Sequence, residues 1–251
     1  MKALQVGRRF LGAAVDVIMP PMCLSCGART AQPRSLCGAC WSQLAFIEDP
    51  HCPVWGEPFA FDAGPDVLSA RAIATPPPWT TLTAAVALND RASHLVHALK
   101  YHDRLEAARF MAGLMHRAAK DTLMQSDALI PVPLHWLRLW RRRFNQAALL
   151  ALTLGRLCGK QPLAQGLIRG RPTPSQVGLN QKERQENMRG AFAVAGAAHM
   201  AIAGKRVALI DDVVTTGATA GAAAEALLKA GARQVDVVVF ALVLLPGQDH
   251  I

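Results

Sequence analysis

A chain of 251 residues that is 51% hydrophobic and 18% charged can bury a sizeable core, which excludes a disordered protein and fits one ordinary domain beside a smaller module. Its longest apolar runs, such as residues 235–246, fall well short of the roughly 20 residues of a spanning helix, so no transmembrane segment is expected. The net charge of +9 sits in one quarter of the chain: residues 131–191 hold eleven Lys/Arg against Glu183 and Glu186, while the rest carries sixteen of each sign. Basic residues at this density serve a polyphosphate ligand, a nucleic acid or plain solubility.

At the N-terminus, Lys2, Arg8 and Arg9 precede an apolar stretch, as in a secretory signal. Asp16 interrupts that stretch and no small-x-small cleavage site follows. Phe10, Leu11, Ala14, Val15 and Ile18 share one helical face, so residues 1–20 read as an amphipathic packing helix and the protein as cytoplasmic.

Residues 21–78 form a Cys- and Pro-rich module and linker. Cys23 and Cys26 make one C-x-x-C pair and Cys37 and Cys40 a second, ten residues apart. Each turn presents two thiolates to one ion, and two turns complete the tetrahedron of a structural zinc site. Two disulfides are the alternative, which a cytoplasmic compartment disfavours. A redox C-x-x-C occurs once and beside a βαβ unit, and neither holds here. Four thiolates leave no place for water, so this zinc stabilises the fold; His51 and Cys52 read as packing residues, and Cys158 as core.

From residue 79 to 251 the texture alternates. Strands are expected over residues 82–88, 128–132, 206–210 and 234–245, and helices over 93–115 (whole or as a broken pair), 137–157 and 219–229. Residues 169–190 show no period. Strands alternating with helices predict an α/β domain built on a parallel sheet flanked by helices.

Within it, RVALIDDVVTTGAT at 206–219 carries the chemistry. An apolar strand delivers Asp211 and Asp212 to its carboxyl end, where open parallel sheets bind ligands. Thr215, Thr216, Gly217, Ala218 and Thr219 then enter a helix; small residues let backbone N–H groups converge on a phosphate, and hydroxyls add donors. Carboxylates repel phosphate but accept from sugar hydroxyls or hold hydrated magnesium, so the combination specifies a ribose 5-phosphate. Neither a Walker A loop nor G-x-G-x-x-G is present.

These residues resemble the phosphoribosyl pyrophosphate signature of type I phosphoribosyltransferases. The resemblance implies that Asp211 and Asp212 bind the ribose and residues 215–219 the 5-phosphate. With DALIPVPL at 127–134, RRRFNQA at 141–147 and Gln176, Arg184 and Asn187 in the 171–190 segment, nearly the whole chain is similar to the competence protein F family, which joins a zinc ribbon to such a domain. That resemblance implies a pyrophosphate loop at 133–138, a mobile lid around 171–187 and a role in natural transformation, where single-stranded DNA enters the cell. Two departures stand out. A second cysteine set is reduced to Cys52, with Trp55, Ser69 and Ala72 at its other positions, so one zinc per chain is expected. Arg143 stands where the family often has Gly in Arg-Gly-Phe-Asn-Gln, which stiffens the backbone and adds charge.

As an enzyme, such a protein works electrostatically: Mg2+ and basic side chains neutralise departing pyrophosphate while a lid excludes water. Arg171, Lys182 and Arg184 are the candidate lid charges. Nothing selects a purine, pyrimidine or amine acceptor. The other reading is a binding module that senses a nucleotide or grips single-stranded DNA through Arg138, Arg141, Arg142 and Arg143, with Trp136, Trp140 and Phe144 nearby. At i, i+4, i+8 those aromatics are expected to form a buried helical stripe instead.

Overall fold

The structure, a computed structural model, describes residues 20–62, 64, 67–101, 105–134, 139–140, 144–170 and 181–244. The expected helix at residues 1–20 therefore lies outside the described residues, apart from Pro20.

Four strands build a parallel sheet in the order β1-β6-β5-β2: β1 (Thr81–Ala87), β2 (Ala128–Pro131), β5 (Arg206–Val214) and β6 (Gln234–Leu242). The near-continuous apolar runs of β5 and β6 fit strands covered on both faces. Because successive side chains alternate, Val207 and Leu209 pack one way and Ala208 and Ile210 the other. The first face carries helix α9 (Ala218–Lys229), with Ala220, Ala223, Ala224 and Leu227 buried against it, and also Trp55 and Ala72 from the N-terminal module and Trp79 just after it. The second face carries α3 (Asp90–Tyr101), α4 (Leu105–Ala118) and α6 (Gln146–Cys158), together with Leu24 and Leu44 of the first ribbon half. The two halves of the N-terminal module thus contribute to opposite sides of one sheet.

At the amino end of the sheet, buried Asp236 accepts from Arg206 Nε at 2.7 Å and from Thr81 Oγ1 at 2.7 Å, tying β6 to its neighbours. A short helix, α5 (Lys120–Gln125), unforeseen in the sequence, precedes β2, and Lys160 Nζ donates to the Leu123 and Met124 carbonyls at its carboxyl end.

Two expectations change. The helix foreseen over 137–157 is interrupted: residues 139–140 are helical, but Asn145 is extended (φ −100°, ψ 117°) and starts α6 afresh. Its Oδ1 accepts from Ala147 N–H at 3.1 Å and its Nδ2 donates to the Val132 carbonyl at 3.0 Å, so a cap wins over the period. The aromatic stripe fails with it, since Trp140 is 80% exposed. Segment 169–190 is likewise structured at both ends, where β3 (Leu167–Arg169) pairs antiparallel with β4 (Phe192–Val194) and α7 (Gln181–Met188) lies between them in sequence.

Candidate functional site

The first site is the sulfur cluster. The Sγ atoms of Cys23, Cys26, Cys37 and Cys40 all lie within 4.8 Å of one another, and Cys26 Sγ is 3.7 Å from Cys37 Sγ. Zn–S bonds near 2.3 Å in a tetrahedron put sulfurs about 3.8 Å apart, so the four residues fit a structural zinc ion. Burial pushes the Cys40 thiol up, reinforced by the Cys26, Cys37 and Cys23 thiols, to about 12. At Cys23 burial also pushes upward, but the N–H groups of Cys26, Cys37 and Ser25 outweigh it and bring the thiol down to about 6. Cys37 N–H stands 3.3 Å from Cys23 Sγ. Among the described residues, no other cluster of three or more His, Cys, Asp and Glu side chains is placed to hold a metal. His51 instead sits 3.0 Å from the Asp49 carboxylate, and Cys52 Sγ accepts from Ser69 N–H at 3.3 Å. Cys158 is half-buried on α6, against the second apolar cluster.

The second site lies at the carboxyl end of β5. This strand runs four residues further than its apolar run, through both aspartates to Val214, paired to β6 all the way to Leu242. On its other side the β2 pairing stops at Ile210, so among the described residues no strand neighbours the edge beside Asp211 and Asp212. Thr215, Thr216 and Gly217 then turn the chain into α9. Gly217 has φ 81°, a left-handed value that glycine adopts without strain. Gly221 N–H donates to the Gly217 carbonyl at 2.7 Å as the first intrahelical bond, so the amides of the first turn of α9 face the turn that precedes it. Asp211, Val213, Val214, Thr215, Gly217, Ala218, Thr219 and Ala220 line one recess here. Asp212 and Thr216 are not part of that lining.

The two adjacent carboxylates meet different partners. Asp211 lines the recess beside the start of α9, whereas Asp212 turns to α3. There Lys100, near the end of α3, brings Nζ to 2.9 Å from Asp212 Oδ2. Lys100 is the residue sequence reasoning missed; its nearness to Asp212, 112 positions along the chain, comes from packing alone. Each carboxylate also accepts from the next backbone amide, Asp212 N–H to Asp211 Oδ1 and Val213 N–H to Asp212 Oδ1, both at 2.9 Å.

Burial, followed by the neighbouring charge of Asp212, holds the Asp211 carboxyl well above the usual carboxylate range. A raised carboxyl pKa means that Asp211 stabilises the fold while protonated and loses that contribution as pH rises through its folded value. Asp211→Asn is therefore expected to raise the melting temperature by a few degrees at pH 8.5 and by less at pH 5. Thermal unfolding at the two pH values checks this.

The remaining predicted positions are less complete. Arg171, Arg138, Arg141, Arg142, Arg143 and Trp136 lie outside the described residues. Lys182 and Arg184 fall on α7, whose backbone is described but not those two side chains. Of the expected pyrophosphate loop, Pro133 and Leu134 follow β2 at the same end of the sheet, and the rest is outside the described residues.

The double zinc ribbon domain family matches residues 14–72. The DNA utilization protein YhgH of Escherichia coli O157:H7 is 32% identical over 225 residues, covering 87% of this chain and 96% of that protein. Competence protein F of Haemophilus influenzae is 30% identical over 221 residues, covering 86% and 94%. A solved structure titled as the allosteric regulatory enzyme of purine biosynthesis aligns with a TM-score of 0.36 at 22% identity, over 57% of this chain and 29% of that one. No described helix is long and apolar enough to cross a membrane.

Proposed function

Because the chain belongs to the family of the DNA utilization and competence F proteins, we propose that it binds phosphoribosyl pyrophosphate or a ribose 5-phosphate in a DNA-uptake setting, as a phosphoribosyltransferase-like protein. The observation that carries this reading is the recess at the end of β5. One carboxylate, Asp211, two threonine positions, Thr215 and Thr219, and the start of α9 line one small space. A phosphate seated at the α9 N-terminus meets backbone N–H groups and a favourable dipole, and a sugar on that phosphate reaches Asp211. Asp212, held by Lys100, is the second acceptor, and it would hold a magnesium ion arriving with pyrophosphate in place of that ammonium group. Magnesium supplies charge neutralisation for the leaving pyrophosphate. Lid charges from Arg171, Lys182 and Arg184 complete the proposal.

Calorimetry tests it. Wild type is expected to give heat on titration with phosphoribosyl pyrophosphate and Mg2+, and an Asp211→Asn, Asp212→Asn variant to bind at least tenfold more weakly. Equal heats from both, or none from either, overturn the reading. Pyrophosphate release with a pool of bases distinguishes a transferase from a binder.

A second reading rests on Trp140, 80% exposed and adjacent in sequence to Arg141, Arg142 and Arg143. An exposed indole beside cations suits base stacking in single-stranded DNA, as a nucleotide-sensing or DNA-binding competence module. Such binding weakens steeply with salt. Tight, salt-sensitive binding that Trp140→Ala weakens, with no pyrophosphate release, favours this reading.

A further inference from the structure

The second half of the double ribbon carries Cys52, Trp55, Ser69 and Ala72 where a metal set would stand, and three of these four cannot serve as thiolate ligands. All four are nonetheless buried, at 0%, 3%, 7% and 3% exposure. Hydrogen bonds do the work of a metal. Ser69 N–H donates to Cys52 Sγ and Ala72 N–H to Ser69 Oγ, each at 3.3 Å, while Cys52 N–H donates to the Glu57 carbonyl at 2.8 Å. Ser69 caps the short helix α2 (Ala70–Ala74), which delivers Arg71 to the interior.

Arg71 uses its guanidinium on three partners at once. One nitrogen is 3.1 Å from Glu57 Oε1, the plane lies 3.5 Å from the Trp55 ring centroid, and the other terminal nitrogen donates to the Thr215 carbonyl at 3.4 Å. Trp55 in turn meets Trp79 edge to face, with centroids 4.9 Å apart at 78°. The edges of both rings stand against the turn: a Cβ on Gly217 would lie 2.8 Å from an atom of each. A buried ion pair contributes little net stability, so an Arg–Glu pair at 9% and 1% side-chain exposure is poorly explained by stability alone. What it does achieve is to fix a planar donor fork and two indoles against one turn, residues 215–217.

We propose that the second ribbon half works without a metal, as a strut that holds the turn from β5 into α9, with Arg71 as its positioning residue. Only the description of that turn as a phosphate site rests on the function proposed above. The test uses the full zinc-loaded chain with Arg71→Ala and, to keep the charge opposite Glu57, Arg71→Lys, which lacks the planar fork that spans Glu57 and Thr215 while stacked on Trp55. Hydrogen exchange of the ligand-free proteins is expected to be about tenfold faster over residues 215–219 in both variants, with β6 unchanged and one zinc per chain retained. Unchanged exchange in that turn, or equal acceleration throughout the sheet, overturns the strut whatever the affinity. In a parallel titration with ribose 5-phosphate, both variants are expected to bind about tenfold more weakly than wild type; faster exchange with undiminished binding overturns the positioning role. Should wild type itself bind no ribose 5-phosphate while the turn loosens in the variants, the ligand reading fails and the strut stands.

Discussion

Removal of the ion held by Cys23, Cys26, Cys37 and Cys40 is expected to lower the melting temperature by on the order of 10 °C and to loosen the N-terminal module first. Structural zinc in small ribbons supplies about 10–16 kcal/mol of apparent binding free energy, far more than any hydrogen bond in this module. The loss does not stay local, because Leu24 and Leu44 are buried in the same apolar cluster as Val86, Leu95, Met111 and Phe240 of the sheet domain. The effect depends on pH with a definite sign. A Cys40 thiol near 12 keeps its proton at neutral pH without metal, so zinc binding releases that proton and affinity falls as pH falls. Native mass spectrometry is expected to show one zinc per chain at pH 7.5 and loss of the ion on acidification toward pH 5. Cys40→Ser reproduces the destabilisation, and a chain with no metal at pH 7.5 refutes the site.

Gly217→Ala carries the second large effect. A Cβ there must adopt φ 81°, which costs a non-glycine residue roughly 1–2 kcal/mol, and it would stand 2.8 Å from ring atoms of both Trp55 and Trp79. Neither indole can retreat freely, since Trp79 Nε1 donates to the Val54 carbonyl at 2.7 Å and Trp55 lies beneath Arg71. A loss of roughly 3 kcal/mol follows from strain and overpacking together. Gly221 is the internal control. It lies within α9, and a Cβ there meets nothing closer than Trp79 at 3.8 Å, so Gly221→Ala gains helix propensity of up to about 1 kcal/mol. Denaturant unfolding of the two variants is expected to move in opposite directions; equal shifts refute the clash.

Much of the site was readable in local residue types. The apolar run at 207–210, the acidic pair and the small hydroxyl residues after it predict a strand, a sugar-binding edge and an anion-binding helix start, and β5, the turn and α9 stand in that order. Two C-x-x-C turns similarly predict a thiolate tetrahedron, because ligand spacing within a turn is a local property. Failures occurred where a side chain broke the period. Asn145 caps α6 and ends the continuous helix, so Trp140 points to solvent although i, i+4 spacing predicts burial.

What no local pattern contains is which surface each group meets. The sequence alone establishes that Asp211 and Asp212 are adjacent; only the packed sheet gives them different partners, one at the turn into α9 and the other at Lys100. In the same way, Arg71 and Thr215 are 144 residues apart, and their contact exists because the metal-free ribbon half packs on the α9 side of the sheet. Residue chemistry and short-range periodicity decide what a group is able to hold. Layer packing, which closes loops of a hundred residues or more, decides what is held against it.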